Sequence, residues 1–198
     1  MSDEWGTPPG VFNAVDRAFG PFDLDVAATA ENTLCPAHFT ADDDGLSQPW
    51  KGRVWANPPY SRIAPWVNKA AAEVKAGRAE VVVMLVPSRT GAQWWRDAIE
   101  PGAHAVYWPR RIEFIGDQPH RAPFDSALLV FGDAPRRITA ICRNCDDVFI
   151  AKRGATTCSD RCRAALYRAK GVRNLRTAPA KGVHEASTTG VIHAERRR

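Results

Sequence analysis

Val81-Val82-Val83-Met84-Leu85-Val86 is an unbroken apolar run, mostly β-branched, that stops at Pro87-Ser88. Such a run without polar alternation is expected of a strand buried on both faces, as in a parallel sheet covered by helices. The segments around it fit that reading. Upstream, Ile63, Trp66, Val67, Ala70, Ala71 and Val74 recur at helical spacing from Ser61 onward, with Pro65 in the first turn and Gly77 at the end. A brief strand, Val54-Trp55-Ala56, precedes that helix and must stop at Asn57-Pro58-Pro59-Tyr60, because consecutive prolines cannot continue a central strand. Nearer the N-terminus, Val11, Phe12, Val15 and Phe19 mark a short amphipathic helix over residues 9–18 after the Thr7-Pro8-Pro9 turn. Gly20-Pro21 ends it, and Phe22-Asp23-Leu24-Asp25-Val26 alternates as a strand does. The acidic stretch through Asp42-Asp43-Asp44-Gly45 is expected to be loop with a short helix. A helix around Gln93–Ile99 and strands at 105–108 and 127–131 complete the alternation. The expected fold is α/β with a largely parallel sheet, in which ligands bind at the carboxyl ends of strands.

The 198 residues leave room for one medium domain and a small appendage. No stretch is apolar for long enough to span a bilayer, so no membrane partner is expected. The start, Met1-Ser2-Asp3-Glu4, is acidic and lacks the basic residues and apolar run of a secretory signal, which points to a cytoplasmic location. The net charge of +5 is unevenly spread: residues 1–135 carry 12 Lys/Arg against 17 Asp/Glu, and residues 136–198 carry 15 against 5. A basic C-terminal third suits a polyanion such as nucleic acid, a solvated tail being the plain alternative. Past residue 171 large apolar side chains become scarce, and residues 172–198 are expected to be a basic, disordered tail.

Asn57-Pro58-Pro59-Tyr60 is the strongest local signal for chemistry. An aromatic exocyclic amine is a poor nucleophile because its lone pair is delocalised into the ring. An enzyme must therefore hold both amine hydrogens on acceptors that favour a tetrahedral nitrogen. The Asn57 side-chain oxygen and the Pro58 carbonyl can be those acceptors, Pro58 and Pro59 stiffen the loop, and Tyr60 offers a flat face for an extruded base. No general base is needed before attack. The plain alternative is a proline turn ending in a core-facing tyrosine.

Beyond that tetrapeptide, Trp5-Gly6-Thr7-Pro8, Phe22-Asp23-Leu24-Asp25-Val26-Ala27-Ala28, Asp44-Gly45-Leu46, Trp50 and Asn57-Pro58-Pro59-Tyr60-Ser61 resemble the phage-encoded Dam-type DNA adenine methyltransferases. Val83-Met84-Leu85-Val86-Pro87 with Trp94-Trp95, Arg110-Arg111-Ile112-Glu113-Phe114 and Pro123-Phe124-Asp125-Ser126 continuing to Phe131 resemble that family's later blocks in the same order, so the likeness covers about residues 4–133. It implies a Rossmann-like methyltransferase fold, S-adenosylmethionine as methyl donor and the N6 amino group of adenine in DNA as acceptor. By position it implies that Asp25 holds the amino group or ribose side of the cofactor, that Thr7 and Pro8 line its methionine end, and that Asp44 contacts the adenosine. Their plain alternatives are a strand-end cap, a helix start and a solvated acidic loop. The Gly-rich turn usual in methyltransferases is replaced by Val26-Ala27-Ala28-Thr29, a departure the phage family shares. Arg111 could meet phosphate or a base, or simply be exposed beside a core phenylalanine.

The late cysteines form a separate constellation. Cys142-x2-Cys145 and Cys158-x3-Cys162, separated by 12 residues, supply four thiolates at spacings that close a tetrahedral structural zinc site over residues 138–171. Ser159 is placed to cap a helix that puts Cys158 and Cys162 one turn apart on one side. The module resembles treble-clef or zinc-ribbon units. Arg143, Lys152, Arg153, Arg161, Arg163, Arg168 and Lys170 around it suit phosphate contacts, and a protein partner is the rival reading. Cys35 and His38 read as ordinary loop residues.

The readings of 1–135 as a methyltransferase domain, 138–171 as a zinc module and 172–198 as a tail leave two competing functions. One is methylation of another planar amine or amide, cytosine N4 or a protein glutamine; the other is a catalytically inactive zinc-containing DNA-binding protein. No recognition domain of useful length separates the blocks, which leaves target sequence open.

Overall fold

The computed structural model describes residues 5–116, 122–133, 139–150 and 155–177. In chain order these form α1 (Pro9–Phe19), β1 (Leu24–Asp25), β2 (Ala37–His38), β3 (Gly52–Ala56), a 3-10 turn (Tyr60–Arg62) running into α2 (Ile63–Lys75), and β4 (Ala79–Pro87). α3 (Gln93–Ile99), β5 (His104–Tyr107), β6 (Ser126–Gly132), β7 (Thr139–Ile141), β8 (Val148–Ile150) and α4 (Asp160–Thr177) follow. The first six strands make one sheet in the order β2-β1-β3-β4-β6-β5. The β2-β1, β1-β3 and β3-β4 pairs are parallel, and β6 is antiparallel to both of its neighbours. The carboxyl ends of β1, β3, β4 and β5 and the amino end of β6 therefore share one edge of the sheet.

β4 is buried along nearly its whole length, as the apolar run requires. Its side chains alternate between two cores. Val81, Val83 and Leu85 join Val11, Phe12, Val15, Phe19 and Trp55 under α1. Val82, Met84 and Val86 join Ile63, Trp66, Val67, Ala70 and Trp95 under α2 and α3. Helices on both faces leave this central strand no solvent side, which is why its sequence shows no period of two. Gly77, with φ +69°, takes the left-handed conformation that turns the chain from α2 into β4.

Several elements differ from expectation. The strand expected at 22–26 pairs only at Leu24 and Asp25, and the acidic stretch holds β2 as well as turns. A two-residue strand whose side chains are exposed or half-buried leaves no pattern to read. Glu73, buried at 3% exposure, lies on the inner side of α2 and bonds Lys69 at 2.7 Å and Arg78 at 2.5 Å. Residues 172–177 were expected to be disordered, but α4 continues through them to Thr177. Sparse apolar residues do not stop a helix already nucleated by a packed first turn. The rest of the tail, residues 178–198, lies outside the described residues, as do Lys152 and Arg153.

β7 and β8 form an antiparallel hairpin that carries Cys142 and Cys145 at its turn. It is packed against the larger unit: Ile141 and Val148 belong with the core under α1, Arg17 pairs with Asp147, and Arg110 pairs with Asp146. Among the described residues no helix is long and apolar enough to cross a membrane.

Candidate active site and cysteine cluster

In the sheet order, the chain passes from β1 outward to β2 and then returns to the other side of β1 as β3, so a crevice opens between the carboxyl ends of β1 and β3. Asp25 closes β1 and Asn57 follows β3 directly. The Asn57 amide is held on three sides: its Nδ2 group donates to the Trp5 carbonyl and, at 3.0 Å, to the Thr7 hydroxyl, while its Oδ1 accepts from the Tyr60 hydroxyl at 2.8 Å. The Trp5 carbonyl can only accept, so the amide orientation is set chemically. Both amide hydrogens are used and one Oδ1 lone pair is left. That lone pair is free to accept one more hydrogen bond.

Trp5 and Thr7 reach Asn57 because Gly6 forms a two-way backbone bridge with Ile115, at 2.7 and 2.8 Å. A Cβ on Gly6 would lie 3.0 Å from the Ile115 carbonyl oxygen, so a side chain there would crowd the bridge. Thr7 thus contacts the loop at 57–60 rather than only the helix start, and Pro8 supplies the carbonyl that begins α1. Pro58 is buried and Pro59 exposed.

Around Tyr60 stands a wall of rings that the sequence reading did not assign to the site. Phe124 and Phe114 meet Tyr60 edge-on at 5.5 and 6.3 Å between centroids, and Trp5 meets the same two rings at 5.7 and 5.5 Å. Burial pushes the Tyr60 phenol well above its ordinary range, so it stays protonated and keeps donating to Asn57. Positions 5, 60, 114 and 124 share no spacing; their only trace in the sequence is an aromatic residue in each of four separate blocks.

Asp25 is 4% exposed. Its carboxylate accepts the Ala27 N–H at 3.3 Å, and β2 sets His38 opposite it in register. Burial raises its pKa to about 6, against the lowering effect of the Ala27 and Leu34 backbone and of His38. A buried, thinly satisfied carboxylate in the crevice suits a ligand that brings hydroxyl or ammonium donors. Asp44 is exposed, with φ +48°, in a turn whose next residue, Gly45, is pressed against the Val26 carbonyl; a Cβ on Gly45 would lie 2.3 Å from that oxygen. The loop bearing Asp44 is thereby brought to the end of β1. Arg111 is exposed, with its Nε 3.7 Å from Asp125.

The structure brings Asn57, Tyr60, Thr7 and Trp5 into contact and places Asp25 and Asp44 on the same edge of the sheet. A sequence model of the Dam family, described as DNA N-6-adenine-methyltransferase, matches residues 1–146. The chain belongs to the Dam family of DNA N-6-adenine-methyltransferases. Among its relatives are the DNA N-6-adenine-methyltransferase of Haemophilus phage HP1, 33% identical over 119 residues, covering 59% of this chain and 68% of the phage protein. That of Escherichia phage T1 is 31% identical over 109 residues, which cover 54% of this chain and only 45% of the phage protein. A putative methyltransferase of Escherichia coli K12, YfdM, is 37% identical over 73 residues, covering 33% of this chain and 76% of that protein.

The Dam-family match ends just after Cys145, yet all four late cysteines meet. The sulfur atoms of Cys145, Cys158 and Cys162 lie 3.5 to 3.7 Å apart, and the set with Cys142 lies within 4.8 Å. A tetrahedral zinc with bonds of about 2.3 Å has sulfur–sulfur edges of about 3.8 Å, so the donor set fits that ion. Three of the thiols share charge unevenly: burial raises the Cys142 thiol but the backbone N–H groups of Cys158, Asn144 and Cys145 outweigh it and hold it below its ordinary range, while burial pushes the Cys145 and Cys158 thiols up. Ser159 Oγ accepts the Cys162 N–H at 3.2 Å and caps α4 as the spacing implies.

Proposed function

We propose that this chain transfers a methyl group from S-adenosylmethionine to the N6 amino group of adenine in DNA, at Asn57-Pro58-Pro59-Tyr60. The observation that carries the reading is the Asn57 amide, whose orientation is set by Trp5, Thr7 and Tyr60 so that one Oδ1 lone pair is left for a substrate hydrogen. The mixed sheet, with one reversed strand and a crevice at its switch point, supports a Rossmann-like methyltransferase arrangement.

In this reading Asp25 holds the amino or ribose side of the cofactor, Thr7 and Pro8 line its methionine end, and Asp44 contacts the adenosine. When bound, S-adenosylmethionine supplies an electrophilic methyl on a sulfonium. The chain's own groups do the rest. An adenine leaves the stack and enters beside Tyr60, Phe114 and Phe124, and Asn57 Oδ1 and the Pro58 carbonyl accept its two amine hydrogens. The nitrogen lone pair would thereby be turned out of the ring, toward the side on which a bound S-adenosylmethionine would supply its methyl. The extra proton leaves after transfer, so no group must remove one first.

Cys142, Cys145, Cys158 and Cys162 hold a structural zinc, which closes its coordination with protein ligands and takes no part in the reaction. Residues 1–135 are the methyltransferase domain, 138–171 the zinc module, and the basic remainder adds attraction to DNA. A DNA substrate suits a chain that works in the cytoplasm, the host's if it is phage-encoded.

The test is transfer of labelled methyl from S-adenosylmethionine to unmethylated DNA, followed by nucleoside analysis. N6-methyladenine is the expected product, and label in 4-methylcytosine or in protein glutamine instead would overturn the acceptor. Folded, zinc-loaded protein that transfers nothing while still binding DNA would leave the binding-protein reading.

A further inference from the structure

A cleft of about 510 Å³ lies on the same edge of the sheet as Asn57, between the ends of β4, β6 and β5 and the cysteine hairpin. Ser88, Tyr107, Arg110, Ser126 and the carboxylate of Asp125 line it from the sheet, and Arg143 from the hairpin side. It is therefore built by both units and exists only because they are packed together. Three of its features call for an anionic, ring-bearing ligand.

The first is unsatisfied polarity. The hydroxyls of Ser88 and Ser126 are buried and without hydrogen-bond partners among the described residues, although Ser126 is only 1% exposed. Two orphaned donors in one cleft are costly unless something fills it. The second is charge. Asp146 is offset by Arg110 and Asp125 by Arg111 at 3.7 Å, whereas the exposed Arg143 side chain has no acidic partner among the described residues. The third is Tyr107, 56% exposed and stacked on Trp95 at 6.2 Å with an interplanar angle of 22°. An exposed ring stiffened from behind and an arginine with no acidic partner among the described residues, both lining one cleft, can seat a nucleotide, base on the ring and phosphate on the cation.

We propose that this cleft takes one or two nucleotides of the DNA strand flanking the target adenine, with a phosphate against Arg143 and the serine hydroxyls and a base on Tyr107. The inference deepens the reading of DNA as substrate and rests on it. It gives the cysteine hairpin a place in the substrate site: it forms one wall of the strand's path.

The experiment uses the full zinc-loaded chain and a fluorescein-labelled unmethylated duplex, with affinity read by polarisation over a salt series and without methyl donor. Arg143→Glu is expected to weaken binding at least tenfold. Arg143→Ala should make the slope of log affinity against log salt shallower by about 0.9, the loss of one phosphate contact. Tyr107→Ala should weaken binding about tenfold, and Tyr107→Phe should restore it. Zinc content and melting temperature establish that each variant is folded. Wild-type affinity and slope in both Arg143→Glu and Tyr107→Ala would overturn the proposal. So would an equal loss in Arg161→Glu, whose charge lies on α4 outside the cleft, because the attraction would then belong to the basic module at large. Binding is read without turnover, so failure of methyl transfer and failure of the cleft are separate results.

Discussion

Replacing Asp25 by asparagine should make the folded chain more stable at neutral pH and, on the proposed reading, abolish cofactor binding. The carboxylate is 4% exposed and its pKa is raised from 3.8 to about 6, chiefly by burial. Folding therefore disfavours the ionised form. Below about pH 3 the group is protonated in both folded and unfolded chains and costs nothing. As pH rises through that range toward 6 the unfolded chain ionises and the folded one resists, and above 6 the full penalty is present. The interval of about 2 pH units, at about 1.36 kcal/mol each, gives about 3 kcal/mol. The asparagine amide carries no such penalty, but its nitrogen needs an acceptor, a cost of about 1–3 kcal/mol that does not vary with pH. The diagnostic quantity is thus the change, between pH 4.5 and 7.5, in the stability of Asp25→Asn relative to wild type. It should grow by about 2 kcal/mol, the part of the ionisation penalty that develops over that interval, seen as a difference in melting temperature that widens by roughly 4–8 °C for a chain of this size. Thiolate protonation and metal loss at the acid end affect both proteins alike and cancel. Calorimetric titration with S-adenosylmethionine should give binding for the wild type and none for the variant. A stability difference that stays flat with pH would show that Asp25 is not strained by burial, and undiminished cofactor binding would remove it from the cofactor site.

Other outcomes follow from the same contacts. Asn57→Ala should abolish methyl transfer while leaving S-adenosylmethionine binding largely intact by titration; comparable activity would refute the acceptor role. Tyr60→Phe keeps the rings together but frees Asn57 Oδ1, and a fall in kcat of about tenfold is expected, with little change in melting temperature. Elemental analysis should find one zinc per chain and less in Cys158→Ser. Because Ile141 and Val148 sit in the core under α1, chelation should also lower the melting temperature of the whole chain. Glu73→Gln strands Lys69 and Arg78 and should cost about 2 kcal/mol in urea unfolding at pH 7, a figure reduced for the half-exposed Arg78. Paired Glu73 has its pKa lowered to about 2, by the Arg78 bond first, so that stability is present above pH 4.5 and fades as pH falls toward 2.

Legibility in the sequence followed how much of each feature is local. β4, α2 and the stop after Ala56 could be read because apolar period and proline chemistry act within a few residues. The cysteine cluster was readable because metal geometry restricts spacing. The direction of β6 was not, since an apolar run is the same in either orientation and only its partners at β4 and β5 reveal that it is reversed. The aromatic wall escaped for the same reason: Trp5, Phe114 and Phe124 come together only once the Gly6–Ile115 bridge closes the N-terminal segment over the site. The sequence points to the Asn57 oxygen as the acceptor, but what commits the amide to that orientation is visible only with Trp5 and Thr7 in place.

That commitment bears on why the cysteine hairpin is packed so closely against the larger unit. A substrate amine gains only if the acceptors stay where they are as the nitrogen changes geometry, so the loop at 57–60 must be rigid on every side. The N-terminal segment secures it from one side through Gly6 and Ile115. Ile115 follows directly on the 110–114 block, whose Arg110 is in turn paired with Asp146 and reaches the Arg143 carbonyl in the hairpin turn. A metal that holds Cys142 and Cys145 also holds the residues between and beside them, and so reaches, through Arg110, the segment that carries Phe114 and Ile115. A zinc remote from the reacting atoms and closed to substrate can thus still affect the rate. If it does, zinc removal should lower kcat in a chain whose cofactor binding persists, and Arg110→Ala should reproduce part of that loss with zinc still bound.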